Sequence, residues 1–277
     1  MNHNPCKAER EINEVMEIPM NIENMNIVHN RLISILLVVF SLLWMGAAQA
    51  DANAGASRSG SPDPIYFYAS QSGKKILDQG RDRGNPFVGA LIELLARHEL
   101  TFGEFSAQMI EGTMEKSRGF QRPDVSATSI SGVLQLCALR LLPKPRSRRH
   151  VALVLAYSDY SSANLPSLPG AKVDMARIAD AFRRAGFDAV RMVLDPGQGE
   201  IDGALKDFTA LSRESDLAVI YATGHGIEAE GNIYLIPSSY PFLHKSILLD
   251  KRTLPLARLG ATLQANRANF VFYAGGS

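Results

Sequence analysis

Four mostly apolar segments of strand length recur between residues 151 and 273, with helical periodicity between them, and this alternation limits the fold more than any other feature of the chain. The segments are Val151–Ala156, Phe187–Leu194, Leu217–Ala222 and Asn269–Tyr273. Between the first two, Met175, Ile178, Ala179 and Phe182 share one face of a helix over 171–185. Arg177, Arg183 and Arg184 occupy its other face, and Gly186 stops it. Ile201, Leu205 and Phe208 repeat the pattern, a short extended piece follows at Tyr234–Ile236, and 256–263 reads as a further helix. Strands that are apolar throughout are buried on both faces, as in a parallel sheet covered by helices. The expected fold class is α/β: an open, mostly parallel, doubly wound sheet with helices on both faces.

Upstream, Ile65–Ala69 is a short aromatic strand signal, followed by a Gly- and charge-rich loop from Gly73 to Asn85. Pro86 is placed to open a helix carrying Phe87, Leu91, Leu94 and Leu95 on one face. Thr101 and Glu104 form a capping-box pair for a second helix with Phe105 and Met109. Residues 143–149 (Pro-Lys-Pro-Arg-Ser-Arg-Arg) cannot be helical and are expected as a solvated linker, with processing by a basic-specific protease as the alternative.

The chain begins with a polar, acidic extension, 1–24, which suggests a later true start at Met20 or Met25. Residues 25–50 read as a signal peptide: Arg31, then the uncharged run Leu32–Met45, then Ala48-Gln49-Ala50. Cleavage after Ala50 makes the protein exported, periplasmic or secreted. The alternative is a membrane anchor formed by an uncleaved 32–50. Residues 51–63, rich in Gly, Ser, Ala and Pro, read as a flexible linker. With 46% hydrophobic and 21% charged residues, the chain is neither disordered, collagen-like nor multi-spanning. A net charge of +1 gives no reason to expect nucleic acid.

Export leaves Cys137 alone, since Cys6 departs with the leader; its apolar neighbours point to packing rather than chemistry. His98, His150, His225 and His244 show no ligand spacing, and no calcium loop is readable. No metal and no cofactor are expected.

Ligands of open α/β sheets bind at the carboxyl ends of the strands. Two such ends are built of small or polar residues. Tyr221-Ala-Thr-Gly-His225-Gly226 places a histidine between glycines, where a side chain suited to proton transfer could meet a closely approaching substrate. A surface histidine with glycines serving only the turn is the plainer alternative. Tyr273-Ala-Gly-Gly-Ser277 is the second end.

Taken in order, these segments resemble the caspase/metacaspase-like cysteine peptidases. Val151–Tyr160 is similar to that family's opening strand, Leu168–Ala176 to its “N-D-A” helix start, and Tyr221–Gly226 to its “Y-x-G-H-G” histidine loop. Asn232–Pro237 is similar to “x-Y-L-I-P”, and Asn269–Ser277 to the strand leading into “D-A-C-R”. Residues 150–277 thus resemble the large-subunit half. Residues 64–142 hold a small-subunit-like segment at 64–128, through Tyr66–Ala69, Asn85-Pro86-Phe87 and Gln121-Arg-Pro123.

The resemblance implies that His225 is the general base of a Cys–His pair. It implies that Gly224 and Gly226 shape the oxyanion site, and that Asp174 and Thr223 line a pocket for a basic side chain at P1, the residue preceding the scissile bond. Asp174 as a helix-start carboxylate and Thr223 as a turn residue are the alternatives. Peptide or protein is the implied partner.

Two departures stand out. Gly276 occupies the nucleophile position and Ala274 the acidic one, while Ser277 is displaced by one residue. The family's halves also appear in reversed order. Three readings follow: a caspase-like endopeptidase by lineage, inactive as written; a non-catalytic peptide- or protein-binding pseudo-peptidase; or the product of a truncated or frameshifted gene. If the halves pack together, strand 65–69 is expected to cover the sheet edge beside 269–273.

Overall fold

The computed structural model describes residues 61–78, 84–97, 100–127, 140–142, 148–163, 165–240 and 252–275, all within one compact unit, Arg58–Ser277. The leader at 25–50, most of the two linkers, and Cys6, His98, Cys137, His244, Gly276 and Ser277 lie outside the described residues.

The first half supplies β1 (Ile65–Tyr68), α1 (Pro86–Leu95), β2 (Leu100–Thr101), α2 (Phe102–Lys116), β3 (Asp124–Ala127) and β4 (Arg140–Leu142). The second supplies β5 (His150–Ala156), α3 (Pro169–Arg184), β6 (Ala189–Leu194), α4 (Gln198–Arg213) and β7 (Leu217–Thr223). It continues with β8 (Gly226–Ala229), β9 (Asn232–Leu235), β10 (Leu254–Pro255), α5 (Leu256–Ala261) and β11 (Ala268–Tyr273). Local chemistry sets the helix starts. Asn85 Oδ1 accepts from Phe87 N at 2.8 Å, with Pro86 at the first helical position of α1. Thr101 and Glu104 close both arms of their capping box on α2. α3 begins at Pro169, two residues before the expected start, and ends before Gly186 at φ +85°.

Six strands form one sheet in the order β3-β1-β11-β7-β5-β6. The five from β1 to β6 are parallel, and β3 alone runs antiparallel. β1 lies beside β11 with Ile65 opposite Phe270 and Tyr68 opposite Tyr273, so the chain's own early strand covers that edge. One face packs against α1, α2 and α3 through a phenylalanine cluster, the other against α4, α5 and the β8–β9 hairpin.

Two details differ from the sequence reading. β6 is a sheet edge, and its Arg191, Met192 and Leu194 are exposed rather than buried, because no strand lies beyond it among the described residues. Ser61 and Pro62, at the end of the expected linker, are tied to the body: buried Asn269 donates to Pro62 O at 2.8 Å and to Ser61 Oγ at 3.1 Å. Among the described residues no helix is long and apolar enough to cross a membrane.

Candidate active-site cleft

β7 and β11 lie side by side, so the two strand tips singled out above meet at the carboxyl edge of the sheet. Ala274 N donates to Ala222 O at 2.9 Å, and Thr223 Oγ1 donates to Ala274 O at 3.2 Å. Thr223 is therefore a strand-end residue joining the two tips, not a residue of the turn itself. Gly224 follows at φ +151°, and a Cβ there would stand 2.8 Å from the Tyr160 hydroxyl and 3.1 Å from Leu235 and Tyr157. Only glycine fits this combination of backbone and space.

His225 projects from this turn, half-buried, with its position fixed from three sides. Its backbone N–H donates to the Tyr160 hydroxyl at 2.9 Å, and that hydroxyl donates to Ile236 O at 2.8 Å. Ile236 N returns a bond to His225 O at 2.8 Å. The phenol ring of Tyr160 meets the imidazole edge-on, centroids 4.6 Å apart. Burial holds the Tyr160 phenol far above its ordinary titration range, so the bridging proton stays in place. On the ring, Nε2 lies 2.8 Å from Pro166 O. A carbonyl only accepts, so Nε2 carries a proton, and whenever the ring is neutral its lone pair lies on Nδ1. That is the tautomer a base needs if it is to take a proton at Nδ1. Gly226 and Gly275 pack on either side of the Tyr273 hydroxyl, which a Cβ on either would strike.

Beside His225 is a cavity of about 180 Å³ lined by Asp78, Asn85, Asp174, Thr223 and Ala274. Asp174 is not a helix-start carboxylate: it is the sixth residue of α3 and only 2% exposed. Its Oδ2 accepts from Asn85 N and its Oδ1 from Arg177 Nη1, each at 2.8 Å. Burial raises its pKa, with the Asn85 N–H and the Arg177 charge opposing and Asp78 adding to the rise. Asp78, in the Gly- and charge-rich loop after β1, is the second acid of the pocket. Burial raises its pKa too, against a hydrogen bond from Gly170 and the nearby His225 charge. A lone aspartate in a charged loop gave no periodic signal that could have marked it.

A wider cavity of about 550 Å³ runs alongside, between Ser70–Lys74 and the β8–β9 hairpin, and Ile76 lines both. Ser72 Oγ bonds both Glu228 carboxylate oxygens at 2.7 Å across it. Among the described residues no group of three His, Cys, Asp or Glu could hold a metal ion.

The loop bearing Tyr160 and Pro166 is pinned by Asp195, itself at φ +47° after β6. Asp195 accepts from Ser158 N at 2.6 Å, Ser158 Oγ at 2.9 Å and Asp159 N at 3.2 Å, and also from Ser238 Oγ. Burial pushes its pKa up, but the Ser238, Ser158 and Asp159 bonds outweigh it and the net shift is downward. Asp195→Ala is expected to lower stability by about 2 kcal/mol at neutral pH, through the hydrogen bonds lost. A carboxylate with a depressed folded pKa contributes stability above its unfolded pKa and loses it as pH falls through the folded value. The Tm gap between wild type and variant is thus expected to hold above about pH 5 and to shrink below about pH 4. A gap unchanged at about pH 3 would reject the charge-based account.

The open α/β sheet, with its cleft at the strand carboxyl ends, is of the doubly wound class expected from the sequence. Residues 149–271 match the family described as the caspase domain, and over that segment the chain is similar to the caspase-like peptidases. Human mucosa-associated lymphoid tissue lymphoma translocation protein 1 is 27% identical over 103 residues, which is 37% of this chain and 12% of that protein. The crystal structure of the Drosophila initiator caspase Dronc aligns with a TM-score of 0.30 at 21% identity, covering 34% of this chain and 37% of that one.

Proposed function

We propose that this protein binds peptides or protein segments in the cleft through a basic side chain and, as its sequence stands, does not cut them. His225 is the base position, Gly224 and Gly226 flank the place of the carbonyl oxygen, and Asp78, Asp174 and Thr223 receive the basic side chain. Gly276 offers no nucleophile. The observation that carries this reading is the pair of acids in a cavity beside a carbonyl-held imidazole. The leader at 25–50 makes the exported compartment the place where binding occurs, in the periplasm or outside the cell.

The test is fluorescence anisotropy with a labelled peptide ending in arginine, alongside matched peptides ending in citrulline or glutamate. The arginine peptide is expected to bind at least tenfold tighter than either, about 1.4 kcal/mol or more, and to remain intact by mass spectrometry. Equal binding of all three would reject the basic pocket, and release of product would reject the non-catalytic reading.

A further inference from the structure

The acids of the pocket are not free of cations. Asp174 has one oxygen on Asn85 N and the other on Arg177 Nη1, three residues along α3. The guanidinium lies against Gly84, where any Cβ would collide with Nη1 and with Asp174 Oδ1, so the chain leaves room for this pair. The Arg177 side chain is 34% exposed and that of Asp174 2%, so the arginine closes the pair from the solvent side. It is absent from the walls of the 180 Å³ cavity, whereas Asp174 lines them. Arg177 therefore approaches the carboxylate from behind the pocket. Asp174 is thus already paired with one cation before any ligand arrives.

We propose that Arg177 is a built-in competitor for the ligand's cation and sets how strongly the pocket selects basic side chains. The proposal rests on the peptide-binding reading above. A carboxylate can accept more than two hydrogen bonds, so a ligand guanidinium can reach Asp174 with Arg177 in place. It then meets the repulsion of a like charge sharing the same acceptor, and the net attraction of the pocket is reduced. Arg177 is partly exposed, so the group that needs a new partner once its charge is removed is the buried Asp174 carboxylate. That carboxylate then has one open acceptor, which a ligand N–H can fill with a charge-assisted bond.

The experiment compares full-length wild type with Arg177→Gln, Arg177→Met and Arg177→Lys, using the arginine- and citrulline-terminated peptides at about pH 8, above the ordinary carboxylate range. The glutamine variant is expected to bind the arginine peptide on the order of tenfold tighter than wild type, with citrulline binding unchanged. The lysine variant, which keeps the charge, is expected to stay within about threefold of wild type. Arg177→Met keeps the packing of the stem and provides the same readout should the glutamine variant not fold. Equal or weaker arginine binding in both neutral variants, with wild type still preferring arginine to citrulline, overturns the competitor role and leaves the cleft reading standing. No preference for arginine in any of the four proteins overturns both.

Discussion

Phe67→Ala is expected to remove about 3–5 kcal/mol of stability. Phe67 is fully buried at the centre of β1, and in the sheet it stands opposite Phe272 of β11. Its ring stacks on Phe272 at 4.8 Å and meets Phe105 and Phe102 edge-on at 5.8 and 6.1 Å. These contacts join β1 to α2 below and to β11 beside it, so truncation opens a cavity where the two halves of the chain meet. Against a typical domain stability of about 5–15 kcal/mol, such a loss moves the unfolding midpoint far to the left. Urea titration followed by circular dichroism measures it. Phe120→Ala, at a residue 55% exposed, is the control and is expected to change stability by less than about 0.5 kcal/mol. A loss below about 1 kcal/mol at Phe67 would mean that β1 is not packed as described.

Gly276→Cys is expected to produce the largest change in activity. The tip of β11 is held to β7 through Ala274, whose residue lines the same cavity as His225. Position 276 is two residues further along the chain, a span of at most about 7 Å. Loss of one member of a catalytic set costs on the order of 10⁶ in turnover, so even a poorly placed thiol stands out against the wild-type blank. A fluorogenic substrate with arginine at P1 is expected to be cleaved by Gly276→Cys, and not by Gly276→Cys combined with His225→Ala. Cleavage that persists without the imidazole would reject the base role of His225. The absence of cleavage alongside retained peptide binding would favour a cleft that only binds.

The parts of this molecule that follow from local chemistry were legible in the sequence. The apolar runs of β5 and β7, the arginine-faced α3, the Pro86 start and the Thr101–Glu104 box all depend on residues a few positions apart. The parts that depend on distant partners were not. Tyr160 supports His225 from 65 residues away, and Asp195 reaches back 37 residues to Ser158. Neither carries a local signature. β8 was also missed, because Gly-Ile-Glu-Ala lacks a strand's alternation. It becomes a strand by pairing with β9 across a turn in which Glu230 and Gly231 both have positive φ. Asp174 was found, but its helix-start alternative fell only when α3 was seen to begin at Pro169.

The placement of β1 between β3 and β11 has a kinetic side. β1 is made early, but its parallel neighbour follows about two hundred residues later. Until then Ile65–Tyr68 and Asp124–Ala127 are at most a small, one-sided ribbon, and small ribbons are marginal in water. Closure of the sheet therefore waits for β11, a long-range step of the kind that slows folding and lengthens the exposure of unpaired edges. A nascent chain stopped short of residue 268 would carry a β1 with no place to dock.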